Sequence, residues 1–153
     1  MIYALLHNIR SIYNTASIFR TADGLGVDKL ILSGYTPTPT DRFGRHRQRF
    51  SKVSLGAEET VPWEQVDDVL DKISQLQADG LEVLACEPIE EAADYRTHQP
   101  AEDTCLVFGS EPDGLPEEII TACNNVIGIP MQGEKSSLNV AVAFGVICSK
   151  YSS

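Results

Sequence analysis

The sequence predicts a single α/β domain built on a mostly parallel sheet flanked by helices. Short, almost purely apolar runs recur along 153 residues, segments with helical periodicity separate them, and the composition is globular, 42% hydrophobic and 22% charged. A domain takes on the order of 150 residues, so this length accommodates one core. No repeat, low-complexity tract or linker divides the chain, and residues 1–153 are read as one domain.

Residues 2–6 (IYALL) form the first strand. From Ser11 or Asn14 a helical pattern begins, with Ile12, Ala16, Phe19, Ala22 and Leu25 three or four apart, and Gly24 and Gly26 end it. Residues 29–33 (KLILS) give a second buried strand, after which Gly34, Pro37 and Pro39 break the chain into a loop. A second helix is expected from Pro62, a favoured first-turn residue, because Trp63, Val66, Val69, Leu70, Ile73 and Leu76 make one apolar stripe; Gly80 closes it. Residues 81–86 (LEVLAC) and 104–109 (TCLVFG) read as strands three and four, the latter apolar enough to be covered on both faces. A short helix over 116–123, a fifth strand over 126–129 and a last helix over 137–151 complete the order. Ligands of such sheets sit beyond the carboxyl ends of the strands, here the loops after Ser33, Cys86, Gly109 and Ile129.

Twelve Lys and Arg against 22 Asp and Glu leave a net charge of −10. That balance opposes a nucleic-acid partner held by a generally positive surface, so any such contact requires a local basic patch. Residues 42–52 (RFGRHRQRFSK) supply one: Arg42, Arg45, Arg47, Arg49 and Lys52 are interleaved with Phe43, His46 and Phe50 and no acid. The rest of the chain has seven basic against 22 acidic residues. Either this loop binds phosphates while its arginines and aromatics stack on unpaired bases, or it is a solvated loop pairing with acids elsewhere. No apolar run approaches the roughly 20 residues of a membrane helix. Residues 1–11 have neither the charged leader nor the apolar stretch of an export signal, and a cytoplasmic location is expected. Cys86, Cys105, Cys123 and Cys148 lie 19, 18 and 25 residues apart without a CxxC pair, and read as small buried hydrophobes kept reduced rather than as metal ligands or disulfides.

Residues 109–116 (GSEPDGLP) combine two glycines, two prolines and two acids just before a helix start. Such a loop brings backbone donors and acceptors close to a ligand, with carboxylates for ribose hydroxyls or a cation, although glycine and proline also mark any tight connection. In residues 130–139 (PMQGEKSSLN), Ser136 or Ser137 suits a helix cap. Asn139 falls in the first turn of an apolar helix, where a polar amide calls for a partner. Arg20 lies near the apolar side of the first helix, a place where arginine ordinarily snorkels to solvent. Gly24-Leu25-Gly26 lacks the third glycine and the strand-adjacent position of a dinucleotide fingerprint, and no Walker A, HExxH or GxSxG pattern occurs. An FMN- or NAD-binding reading therefore has no phosphate-cradling loop to stand on.

Three segments in order, residues 8–11 with 14–22 (NIRS, NTASIFRTA), 106–116 (LVFGSEPDGLP) and 129–145 (IPMQGEKSSLNVAVAFG), resemble the three motifs of the SpoU (TrmH-like) RNA ribose 2′-O-methyltransferases of the SPOUT superfamily. Residues 55–58 (LGAE) also look like a family segment, while Ala16 stands where many relatives have glycine. The resemblance implies an α/β domain whose C-terminal segment threads a loop to make a trefoil knot, and a homodimer with a shared active site. It implies S-adenosylmethionine as cofactor and no metal, with the cofactor held by Gly109, Glu111, Gly114, Ile129, Met131, Ser137 and Leu138, and by Ala85 at the third strand end. It matches Arg20 and Asn14 to the first motif and Ser137 and Asn139 to the third as the catalytic set. The basic loop, Arg42 to Lys52, is the candidate RNA-binding element. Many relatives carry an added RNA-binding domain; this chain is read as the methyltransferase domain without one, acting on tRNA slightly ahead of rRNA, with a protein partner able to deliver the RNA. The alternative is a non-catalytic SPOUT-fold module that binds RNA or protein beside a partner.

Overall fold

The computed structural model describes residues 1–110 and 113–152. In chain order the elements are β1 (Ile2–His7), α1 (Ile12–Leu25), β2 (Lys29–Ser33), α2 (Gln48–Ser54), α3 (Ala57–Thr60), β3 (Trp63–Val66), α4 (Val69–Ala78), β4 (Glu82–Cys86), β5 (Ala93–Asp94), β6 (Thr104–Gly109), α5 (Glu117–Ala122), β7 (Asn125–Gly128) and α6 (Val140–Tyr151). The strands form one sheet in the order β3-β2-β1-β6-β4-β7-β5, and every pairing is parallel.

Successive strand side chains point to opposite faces, so a parallel sheet covered on both sides needs apolar residues at nearly every position. Residues 2–6, 29–33 and 104–109 meet that need. On one face Leu6, Leu30 and Phe108 pack with Phe19 of α1 and Phe144 of α6. On the other, Leu5, Ile31 and Val107 pack with Ile73 of α4 and Ile119 of α5. Phe19 is fully buried and meets Phe50 of α2 edge to face at 5.2 Å, with Trp63 at 6.5 Å. The far end of α6 is tied down as well: Lys150 Nζ donates to the carbonyl oxygens of Tyr95 and His98, both at 2.7 Å.

The structure departs from the sequence reading at the shortest elements. The helix expected from Pro62 is a strand followed by a helix: β3 pairs with β2, Leu30 N donates to the Pro62 carbonyl at 2.9 Å, and α4 starts only after Asp68, whose side chain accepts from Asp71 N at 3.0 Å. The apolar stripe from Trp63 to Leu76 reports a buried face, which a strand end and a helix share; the cap decides where the helix begins. Lys29 and Lys72 bracket Glu64 at 3.1 and 2.5 Å and fasten β3 to β2 and α4. Seven strands stand in place of five because β3 and the two-residue β5 were not foreseen. The stretch after Gly34, expected as loop, holds α2 and α3. The last helix begins at Val140 rather than 137, with Asn139 as its N-cap in place of Ser136 or Ser137.

Removing the ring at the centre of the first layer tests this packing. Phe19→Ala should cost about 3–5 kcal/mol, the range for a fully buried aromatic, read as a lower urea midpoint by the fluorescence of Trp63, the chain's single tryptophan.

Candidate active site

The carboxyl ends of β4, β6 and β7 lie side by side, and the loops that leave them enclose a cavity of about 260 Å³. Its floor comes from Cys86 and Phe108, one wall from Gly109, Ser110, Asp113 and Gly114, another from Ile129, Met131, Ser136, Ser137 and Leu138, and its back from Val140, Ala143 and Ile147 of α6. Three of the four strand-end loops expected to hold a ligand thus contribute; the loop after Ser33 does not.

The walls approach one another only because particular positions lack side chains. A Cβ at Gly128 would lie 2.5 Å from the carbonyl oxygen of Glu87, and one at Gly109 would lie 2.8 Å from backbone atoms of Gly114 and Leu115. Gly114 has φ +69°, and a Cβ there would fall 2.9 and 3.0 Å from the two carboxylate oxygens of Glu87. Glycine meets both demands, the left-handed backbone and the close approach.

Gly109, Gly114, Ile129, Met131, Ser137 and Leu138 all line the cavity. Glu111 lies outside the described residues. Ala85 does not line it: fully buried, it belongs to the layer under α4 and α5, and the next residue, Cys86, faces the cavity instead. Asn14 and Asn139 meet, although neither lines the cavity. Asn139 Oδ1 accepts from the backbone amides of Ala141 and Val142 at 2.9 and 3.3 Å, which fixes the amide so that Nδ2 donates to Asn14 Oδ1 at 3.3 Å. The cap of α6 is thereby linked to the first turn of α1, itself capped by Ser11. Arg20 is exposed on α1 and is not among the cavity-lining residues. In one chain, the first-motif arginine and the cavity are separate.

The basic loop presents Arg42, Arg45, Arg47, Arg49 and Lys52 to solvent. Phe43 is 67% exposed, and the guanidinium groups of Arg42 and Arg45 lie over its ring at 4.9 and 5.0 Å from the centroid. Arg45 pairs with Asp41 at 3.0 Å and His46 with Glu59 at 3.1 Å; among the described residues Arg42, Arg47, Arg49 and Lys52 form no salt bridge. Phe50 turns inward and anchors the loop against Phe19. The cysteines are free; burial raises all four thiols, Cys123 to about 12.

Glu87 was not foreseen. It follows β4 directly, lines the cavity, and accepts a hydrogen bond from Leu115 N at 2.5 Å. Burial raises its carboxyl above the usual range, with the Leu115 amide pulling the other way, and among the described residues no basic side chain pairs with it. In the sequence it is one of several acids in residues 87–91 (EPIEE), and only its meeting with Gly114 and Leu115 sets it apart.

The described residues form an all-parallel α/β sheet with a glycine-lined cavity built from three strand-end loops and α6, the arrangement of a ligand-binding α/β domain. The chain belongs to the SpoU rRNA Methylase family, whose model matches residues 1–149. It is 30% identical over 146 residues to a 23S rRNA (guanosine-2′-O-)-methyltransferase, RlmB, of Neisseria meningitidis, a match covering 95% of this chain and 56% of that one. Its fold superposes on a TrmH/SpoU tRNA modifying enzyme of A. aeolicus with a TM-score of 0.86 at 26% identity, covering 99% of this chain and 73% of the other. It superposes on an AdoMet-bound rRNA methyltransferase of Sinorhizobium meliloti with a TM-score of 0.85 at 29% identity, covering 96% and 54%. The chain spans about half the length of the curated relatives it matches.

A carboxyl group raised in the folded state contributes stability below its unfolded value of about 4.5, and that contribution is lost as pH rises through the folded value. Glu87→Gln removes the titration while keeping an acceptor for Leu115 N. Its thermal midpoint should exceed that of the parent at neutral pH, and the two should converge below pH 4.5.

Proposed function

We propose that this chain is an S-adenosylmethionine-dependent methyltransferase acting on a ribose 2′-hydroxyl of RNA. The observation that carries the reading is the single cavity in which Gly109 and Gly114 of one motif meet Ile129, Met131, Ser137 and Leu138 of another. The cavity suits an adenosyl ligand: backbone is uncovered where side chains would collide, apolar Ile129, Leu138 and Ile147 offer a face for a base, and Ser110, Ser137 and Glu87 offer polar contacts. When bound, S-adenosylmethionine supplies an electrophilic methyl carbon, and no metal is needed.

The chain's own part is alignment and charge. Holding the hydroxyl in line with the methyl group removes much of the entropic barrier. Arg20, through its planar guanidinium fork, grips the phosphate next to the target ribose and stabilises negative charge developing on the 2′-oxygen. Ser137 orients the hydroxyl at the cavity wall, and Asn139, committed to the helix cap and to Asn14, fixes the loop that presents Ser137. Because Arg20 does not line its own cavity, the proposal includes a homodimer in which each Arg20 serves the partner subunit's site. Tyr13, 66% exposed beside Asn14, and Val142, 52% exposed beside the cap of α6, give α1 and α6 an apolar surface for that contact. The basic loop holds RNA by its phosphates, with Phe43 as a stacking platform, and offsets locally an acidic surface that otherwise repels RNA. Where two such loops do not suffice, a protein partner delivers the RNA. The threaded C-terminal knot and a cytoplasmic location complete the proposal, with tRNA the first substrate to test; among the described residues no helix is long and apolar enough to cross a membrane.

Labelled methyl from S-adenosylmethionine, offered with unmodified tRNA and rRNA separately, should appear on one of them as a 2′-O-methyl nucleoside. Arg20→Ala should lower the rate about 10²–10³-fold, the usual loss of one charge-stabilising donor, and Arg20→Lys should not restore it. No label on either RNA, with the cofactor bound, would overturn the reading that this chain alone methylates RNA. Sedimentation at micromolar concentration should show a dimer, and a monomer alone would end the shared-site account.

A further inference from the structure

Glu87 stands in a position that the fold alone does not justify. A half-buried carboxylate without a basic partner is costly, and holding Leu115 N requires only a neutral acceptor. The surrounding backbone is nonetheless shaped to it: Gly114 leaves its carboxylate uncovered, and Gly128 admits its main chain against the end of β7. An ionised carboxylate has two oxygens and room for about four hydrogen bonds, of which Leu115 N uses one. The remaining capacity faces a cavity whose other polar lining groups, Ser110, Asp113, Ser136 and Ser137, include no cation.

Acceptors left free in this way match donors that need not be charged, and two adjacent hydroxyls on one sugar are the closest fit. An acidic side chain at the end of a parallel strand takes ribose hydroxyls in the dinucleotide-binding folds by the same logic. The competing partner, a sulfonium or ammonium cation, is disfavoured on catalytic grounds. A carboxylate gripping the sulfonium would stabilise the very charge that methyl transfer removes, and so raise the barrier, whereas a ribose diol is unchanged by the reaction.

We infer that Glu87 recognises the ribose diol of the adenosyl ligand, accepting its hydroxyl hydrogens at the positions that Leu115 leaves open. This rests on the cofactor reading above and makes Glu87 a specificity residue for a ribonucleoside. Its cost to stability is then the price of selectivity for the sugar.

Calorimetry without RNA tests it, using S-adenosylhomocysteine, its 2′-deoxyadenosyl counterpart and S-adenosylmethionine on the full chain. The parent protein should prefer the ribo ligand by about tenfold or more, the scale of a hydrogen bond to a charged group. Glu87→Ala should bring that ratio close to one. Glu87→Gln, which keeps the Leu115 contact, should lower the ratio part of the way and serves if the alanine variant does not fold. An unchanged ratio, with both ligands weakened alike, would mean that Glu87 acts only through Leu115 and would overturn the inference. So would a variant that loses S-adenosylmethionine but keeps S-adenosylhomocysteine, since that marks sulfonium recognition. If the parent binds none of the three, the cofactor reading itself fails; if it binds them but methylates no RNA, only the substrate reading does.

Discussion

Main chains approach closely at the carboxyl edge of the sheet, where Gly128 abuts the carbonyl of Glu87 and Gly109 abuts Gly114 and Leu115. A single methyl group at either place would intrude on backbone, which has no rotamer with which to yield. The cavity and the half-buried Glu87 carboxylate depend on those contacts staying short. Parallel sheets place such sites at strand ends because the dipoles and free backbone groups of the loops gather there; here three loops share the task, so no one of them has the glycine signature of a phosphate loop.

The larger strands were legible because burial on both faces leaves an unbroken apolar run. Residues 104–109 are the clearest case, with Thr104 to Phe108 all buried. β3 was not legible, since Trp63 and Val66 fit the helical spacing that continues into α4, and only Asp68, by capping, separates the two. β5 has two residues and no pattern to read. Of the positions that the family motifs single out, Gly109, Gly114, Ile129, Met131, Ser137 and Leu138 line one cavity. Ala85 lies on an alternating strand with its side chain on the opposite face, and its neighbour Cys86 lines the cavity. Glu87 could not be found by any local rule, because what distinguishes it from Glu90 or Glu91 is a hydrogen bond to a residue 28 positions away.

Charge is divided as sharply as packing. Four cations of the basic loop form no salt bridge among the described residues, while the chain as a whole stands at −10. The acidic remainder of the surface repels polyanions and the loop attracts them, which under the proposed function would set an orientation as well as an affinity. Phe50 makes that orientation firm by fastening the start of α2 into the same aromatic cluster as α1.

The link from Asn139 to Asn14 joins positions 125 residues apart in sequence, and Lys150 reaches back to Tyr95 and His98. Contacts of such separation close long stretches of chain, and each must offset the entropy of that closure. The rear wall of the cavity comes from α6, so the pocket is complete only where α6 is docked on the sheet. Ligand binding reports completed folding in such a molecule, and by mass action a bound ligand holds α6 in place. Slow hydrogen exchange along α6 would then track occupancy of a cavity that most of the helix never touches.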